Sequence, residues 1–318
     1  MTIRLGGLQS GMDTESIIST LLEVERIPQL RAQNTIYELE DKLVAWNAID
    51  SSATSLSSAS GKLIAYSTWQ QMKAEPANSS MMTATADTTA GTAKYDVFVD
   101  YLAEAHRVAS DAQADTTSPL GLDGDFTLAG ALIPVTTDQS LEDIRDTINQ
   151  KYSEMNSGDQ VRATIINTSL VLTRENVGSS EIDLTDGTNN VLQSLGIHDG
   201  GGAVKNELQA ASGLRATIDG IEVLRDSNTG LTDVIEGVTL NFYEEGTTTL
   251  DVGTDVDSIK SMISDFISAY NDTMQLAEDY SIINLASGEN GVESVGILQG
   301  DSLLSSFLTK SRTLMTSV

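Results

Sequence analysis

The chain has 318 residues with 18 Lys and Arg against 46 Asp and Glu, a formal net charge of −28 at pH 7. That balance excludes nucleic-acid binding as a default function, because phosphate neutralisation needs clustered cations. Hydrophobic residues make up 40%, enough for two or three cored domains and too many for an acidic disordered tail. Cysteine is absent, which removes disulfides, thiolate nucleophiles and thiolate metal sites.

The first eleven residues lack a basic stretch followed by an apolar run, and nowhere do about 18 apolar residues follow one another, so neither a cleavable signal nor a membrane span is expected. Charge is uneven: residues 1–75 carry a net −3, residues 76–213 carry −13 and residues 214–318 carry −12. The later segments read as solvated acidic surfaces.

In chain order, the first strong pattern is helical. From Pro28 to about Gln70, Ala32, Ile36, Leu39, Leu43 and Trp46 recur at steps of four and three, and Ile49, Ala53, Leu56, Ser60 and Leu63 continue them. At 1.5 Å per residue this predicts a helix of roughly 60 Å, whose apolar stripe needs a partner helix. Period two follows in Tyr95, Val97, Val99 and Tyr101, a strand, and again in Phe126 with Leu128. Ser140 with Asp143 forms a capping pair before Leu141, Ile144, Ile148 and Tyr152, one face of an amphipathic helix. Val161, Ala163 and Ile165 then predict a hairpin with Leu170, Val171 and Leu172 across Asn167-Thr168-Ser169. The glycine-rich run Asp199-Gly200-Gly201-Gly202 reads as a hinge.

A second strand set begins at Leu214, Ala216 and Ile218, turns at Asp219-Gly220 into Ile221 and Val223, and resumes at 238–242 and 247–252. Residues 117–208 therefore read as an insertion in a β-rich domain. Helical spacing returns in Val256, Ile259, Ile263, Phe266, Tyr270, Thr273, Ala277 and Tyr280, the partner stripe for the first helix. Asp301 or Ser302 caps a last helix with Leu304, Phe307, Ser311, Leu314 and Val318 on one face. The expected seam joins Ile36, Leu39, Leu43 and Trp46 to Ile259, Ile263, Phe266 and Tyr270.

Signatures of chemistry are scarce. The two histidines, His106 and His198, lie in different segments, and the hydrolase-elbow, zinc-protease, phosphate-loop and dinucleotide motifs are all missing. Neither an enzyme activity nor a cofactor is expected. Asp123-Gly124-Asp125, the run from Asp183 to Gly187 and that from Asp251 to Asp257 offer oxygen ligands of the kind calcium favours, yet none follows the EF-hand loop. Turn chemistry is the simpler reading, since Asp-Gly corners are what hairpins require.

The opening Gly7-Leu8-Gln9-Ser10-Gly11-Met12-Asp13-Thr14, followed by Ile17-Ile18, Leu21-Leu22, Glu25 and Pro28, resembles the amino-terminal signature of the bacterial flagellar filament cap family, the hook-associated protein 2 family. The resemblance recurs at Tyr101-Leu102-Ala103, at Ile218-Asp219-Gly220 with Arg225-Asp226-Ser227-Asn228, at Ile235 to Leu240, at Phe266 to Asn271 and at Leu298-Gln299-Gly300-Asp301. It implies a multidomain α+β chain: terminal helices in a coiled-coil-like antiparallel leg (residues 29–75 and 253–318), a β-rich head (76–116 and 209–252) and an inserted α+β head (117–208). It also implies further helices beyond Val318 that pair with the amino terminus, so residues 1–28 are expected to be mobile or taken up by a neighbour.

By the same resemblance, the protein is a structural cap at the distal tip of the flagellar filament, where it promotes folding and insertion of exported flagellin and prevents its loss. Its partners are further copies of itself in a ring, flagellin, the hook-filament junction proteins and an export chaperone. It reaches the flagellum through the type III channel without a cleaved signal, and inserts into no membrane. Leu8, Ile17, Ile18, Leu21 and Leu22 are the expected amino-terminal filament contacts. An alternative expectation is a surface adhesin, with the outer loops of residues 117–208 binding glycans or host protein.

Overall fold

The computed structural model describes residues 14–285 and 292–316. Leu8, the 287–291 linker and Val318 lie outside the described residues. The chain divides into two compact units, Met1–Trp69 with Val256–Val318, and Gln70–Asp255. These divisions fall a few residues from the expected 75 and 253.

Helix α1 (Thr14–Ile64) has 51 residues, about 77 Å at the standard rise. It starts upstream of the expected residue 29. Ile17, Leu21 and Val24 keep helical spacing ahead of Pro28, and a proline removes one backbone hydrogen bond without stopping a helix whose flanking turns are made of strong helix formers.

The second unit carries strands β1 (Met72–Pro76), β2 (Met82–Ala86), β3 (Ala93–Tyr101), β4 (Arg107–Ala109), β5 (Gly124–Leu128) and β6 (Ala131–Val135), then helix α2 (Leu141–Gln150). They are followed by β7 (Val161–Ile166), β8 (Ser169–Arg174), β9 (Leu184–Asp186), a short α3 (Val191–Ser194) and β10 (Glu207–Gln209). Strands β11 (Leu214–Ile218), β12 (Ile221–Arg225), β13 (Leu231–Ile235), β14 (Val238–Phe242) and β15 (Gly246–Thr254) close the unit.

Two lobes with separate cores result. In the first, a five-stranded sheet ordered β1-β15-β3-β11-β12 faces a three-stranded sheet ordered β13-β14-β2. Val97, Val99, Ala216 and Leu250 of one sheet meet Met82, Leu240 and Phe242 of the other in one buried cluster. The β11–β12 hairpin turns at Asp219 and Gly220, with φ of 50° and 81°, the left-handed pair that a two-residue turn of this twist needs. In the second lobe, sheets β10-β4-β8-β7 and β6-β5-β9 enclose Phe126, Ile133, Leu170 and Leu172 with Leu141, Ile144 and Ile148 of α2. Ser140 caps α2 by accepting from the Asp143 N–H while Asp143 accepts from the Ser140 N–H. Because β4 pairs with β8, and β10 with β4, this lobe takes in chain from about residue 107, ahead of the expected 117. Its glycine-rich run is a closed turn, with the Asp199 carbonyl accepting from the Gly202 N–H at 3.1 Å.

Returning to the first unit, α4 (Val256–Ser281) is followed by a β16 (Ile283–Leu285) and β17 (Val292–Val295) hairpin and by α5 (Ser302–Thr316). Asp301 starts α5 by accepting from the N–H groups of Leu303 and Leu304 at 2.8 and 3.1 Å. Ala45 and Ile49 of α1, Met274 and Ala277 of α4, and Leu298, Leu304 and Leu308 form its core.

Candidate interaction surface

Helices α1 and α4 run antiparallel. Ala45 and Ile49 share the core with Met274 and Ala277, Ser52 meets Thr273, and Leu56 and Ser60 share a groove with Phe266 and Tyr270. Since α4 has 26 residues against 51 in α1, it spans about half the length of its partner. Among the described residues, none of α1 before Ala45 is buried.

This geometry displaces the expected seam. Trp46 and Tyr270 do pack against the core and Phe266 is half-buried, as is Ile259. Ile36, Leu39 and Leu43, however, lie past the end of α4 and are 48%, 59% and 61% exposed, and Ile263 faces solvent as well. The covered contacts pass through Ala45, Ile49, Ser52 and Leu56; Ile49 and Leu56 belong to the expected stripe, and Ala45 and Ser52 are small neighbours beside it that a hydrophobic spacing does not mark. Ile17, Ile18, Leu21 and Leu22 are likewise exposed. Together with Val24, Leu30, Tyr37 and Val44 they leave a series of large apolar side chains uncovered along α1 ahead of Ala45, interspersed with charged residues such as Glu25, Arg26, Arg31 and Glu40.

Beside the seam, a groove of about 340 Å³ runs between Leu56 and Ser60 of α1, Phe266 and Tyr270 of α4, and Phe307 and Met315 of α5. Its lining is mainly apolar side chains from all three helices.

The head unit uses its titratable groups to hold loops in place. His106 is buried, with Nδ1 accepting from the Ile182 N–H at 2.9 Å and Nε2 3.1 Å from Glu207 Oε1. His198 is buried too, 3.8 Å from an Asp186 oxygen. The acidic corners act as caps: Asp125 accepts from the Thr188 N–H, and Asp186 accepts from the N–H groups of Leu192 and Gln193 at the start of α3. Among the described residues no three His, Asp or Glu side chains are grouped to hold a metal ion, and no helix is long and apolar enough to cross a membrane. Asp111 lies below the usual carboxylate range because Lys205, then Asn206, donate to it.

The fold is similar to that of flagellar cap proteins of known structure. The crystal structure of the D1-D2-D3 domains of the flagellar cap protein from Escherichia coli matches with a TM-score of 0.62 at 22% identity, over 86% of this chain and 77% of that one. The cap protein structure from Pseudomonas aeruginosa PAO1 matches with a TM-score of 0.51 at 24% identity, over 65% of this chain and 99% of that one.

Sequence then supplies the family. The models for the flagellar hook-associated protein 2 N-terminus and C-terminus match residues 10–106 and 215–318, and the chain belongs to the flagellar hook-associated protein 2 family. The A-type flagellar hook-associated protein 2 of Pseudomonas aeruginosa is 25% identical over 342 residues, covering 97% of this chain and 69% of that protein. The flagellar hook-associated protein 2 of Escherichia coli (strain K12) is 27% identical over 337 residues, covering 98% and 69%.

Proposed function

We propose that this protein is a structural cap at the distal end of the flagellar filament, working as a ring of identical subunits that helps exported flagellin fold and insert and prevents its loss. The observation that carries the reading is the series of uncovered large apolar side chains along α1 ahead of Ala45, in a chain that belongs to the hook-associated protein 2 family. A rod bearing Ile36, Leu39 and Leu43 in water is stabilised by laying that face into a groove of a neighbouring subunit or of flagellin. Each large apolar side chain covered contributes about 1.5 to 3 kcal/mol, so the association itself supplies the driving force for assembly. The helical unit acts as a coiled-coil-like leg, with Ile17, Ile18, Leu21, Leu22 and Leu8 as filament contacts. Hook-filament junction proteins and an export chaperone complete the set of partners, and the site of action is the flagellum.

The test is complementation of a cap-deficient strain with chains carrying Asp at Ile36, Leu39 and Leu43. Loss of motility, with flagellin appearing in the medium and the purified variant folded as the parent, is expected. Full motility from that variant overturns the reading.

A further inference from the structure

The two lobes of the head unit are joined by paired chain crossings and by a loop contact. The crossings meet at Glu104 and Ser212, where the Glu104 N–H donates to the Ser212 carbonyl at 2.9 Å and the return bond measures 3.3 Å. Alongside, the loop after β8 reaches from the inserted lobe to the sandwich lobe. Val177 packs on the sandwich core, and the Gly178 N–H donates to the Glu104 carbonyl at 3.2 Å. Ser179 donates both its backbone N–H, at 2.9 Å, and its hydroxyl, at 2.7 Å, to one oxygen, Oδ1 of Asp226.

The sandwich side of this contact is firmly held. Asp226 sits in the Arg225-Asp226-Ser227-Asn228 turn, where Asn228 accepts from the Ala103 N–H at 2.7 Å and donates to the Ala103 carbonyl at 2.8 Å. Arg225 Nε reaches both oxygens of Asp233, at 3.2 and 3.0 Å. The loop is tied to its own lobe at Asn176, whose carbonyl accepts from Arg174 at 3.1 Å and whose side-chain amide donates to the Gly158 carbonyl at 3.0 Å. Two open clefts of about 370 and 360 Å³ flank the contact, and Arg225 and Asp226 line both, so water reaches the bonded carboxylate from either direction. Each lobe keeps its own buried cluster, so parting the loop from Asp226 leaves the two main cores in place.

We propose that Asp226 and residues 176–180 form a releasable latch that sets the angle between the two head lobes, with the paired crossings at Glu104 and Ser212 as the hinge. Closed, the latch fixes one orientation. Opened, it frees the inserted lobe to swing while both lobes stay folded. Gly178 belongs to the device, because its φ of +131° and a Cβ there only 2.8 Å from the Asp226 Cβ leave no room for a side chain when the latch is shut.

The chain has no cysteine, so Leu132→Cys in the inserted lobe and Ile221→Cys in the sandwich, both exposed, take spin labels at those sites alone. Electron–electron resonance on the full chain should give one narrow distance distribution for the parent. Asp226→Ala should add a second distance population while far-UV circular dichroism stays unchanged; an unaltered narrow distribution overturns the latch. Should Asp226→Ala lose its circular dichroism, Gly178→Ala decides, since it alters no sandwich residue and its added Cβ, 2.8 Å from the Asp226 Cβ in the closed arrangement, forces the loop off Asp226. A second population in that variant supports the latch, and the parent's narrow distribution overturns it.

Discussion

The hydroxyls of Ser52 and Thr273 lie 2.8 Å apart, joining α1 to α4 across 221 positions of sequence. Thr273 is fully buried, and its oxygen also bonds the Ala269 carbonyl at 2.7 Å. A polar pair inside an otherwise apolar seam favours one register, since a slip of the helices separates the two hydroxyls. Thr273→Val keeps the shape but removes the hydroxyl. A loss of about 1 to 3 kcal/mol is expected, read as a lower urea midpoint for the helical signal.

Ala45 and Ala277 share the same seam, both essentially without exposure. Small side chains there let the helices approach, and a larger one forces them apart. Ala277→Leu should therefore cost about 1 to 3 kcal/mol despite adding hydrophobic surface. Calorimetry of the full chain reads this as a lowered melting temperature, whereas an unchanged melt would mean that Ala277 is not tightly packed.

Asp at Ile36, Leu39 and Leu43 makes the opposite case. These side chains face solvent, so each change should alter the stability of the single chain by no more than about 0.5 kcal/mol. Self-association should nevertheless fall, seen as smaller particles by light scattering at matched concentration. A destabilised monomer would show instead that the stripe is internal core.

Ser140→Ala removes the cap of α2, whose first turn holds Leu141 and Ile144 in the inserted-lobe core. The expected cost is about 0.5 to 2 kcal/mol. Asp143, held below the usual carboxylate range first by the Ser140 hydroxyl, should titrate closer to its ordinary value in that variant, measurable by NMR.

Acid should weaken the head through its depressed carboxyls. Asp111, Asp143 and Asp226 are all lowered, by Lys205, Ser140 and Ser179 respectively as first causes. A folded-state value below the unfolded one means that the stabilisation is complete above the ordinary carboxylate range and disappears as pH falls through the folded-state values. The urea midpoint should hold level down to roughly pH 5 and drop on further acidification below about pH 4. Asp111→Asn should make that drop shallower; a variant with the parent's acid limb would remove Asp111 from the account.

Parts of this fold were legible residue by residue. The capping pair Ser140 and Asp143, the hairpin turning at Asn167 and the corner at Asp219-Gly220 all appear where their local chemistry requires them. Short-range signals of this kind involve neighbours within about four positions. Strands β1 and β2 left only a weak trace: Met72–Pro76 and Met82–Ala86 alternate polar and apolar residues, but over five positions with alanine as much of the apolar face, and their pairing with β15 and β14 is what makes them strands. The three-residue strands β4 and β10, which assign residues near 107 to the inserted lobe, were invisible for the same reason.

By itself the sequence determined the helices with their apolar stripes, the hairpin corners, the lack of thiol chemistry and, through the motifs at both ends, the family. Tertiary structure decided which half of the α1 stripe is covered, the register set by Ser52 against Thr273, and the bond of Asp226 to Ser179. The reason is physical: spacing along a helix defines a face, but only the length and position of the opposing helix determine how much of that face meets protein and how much meets water.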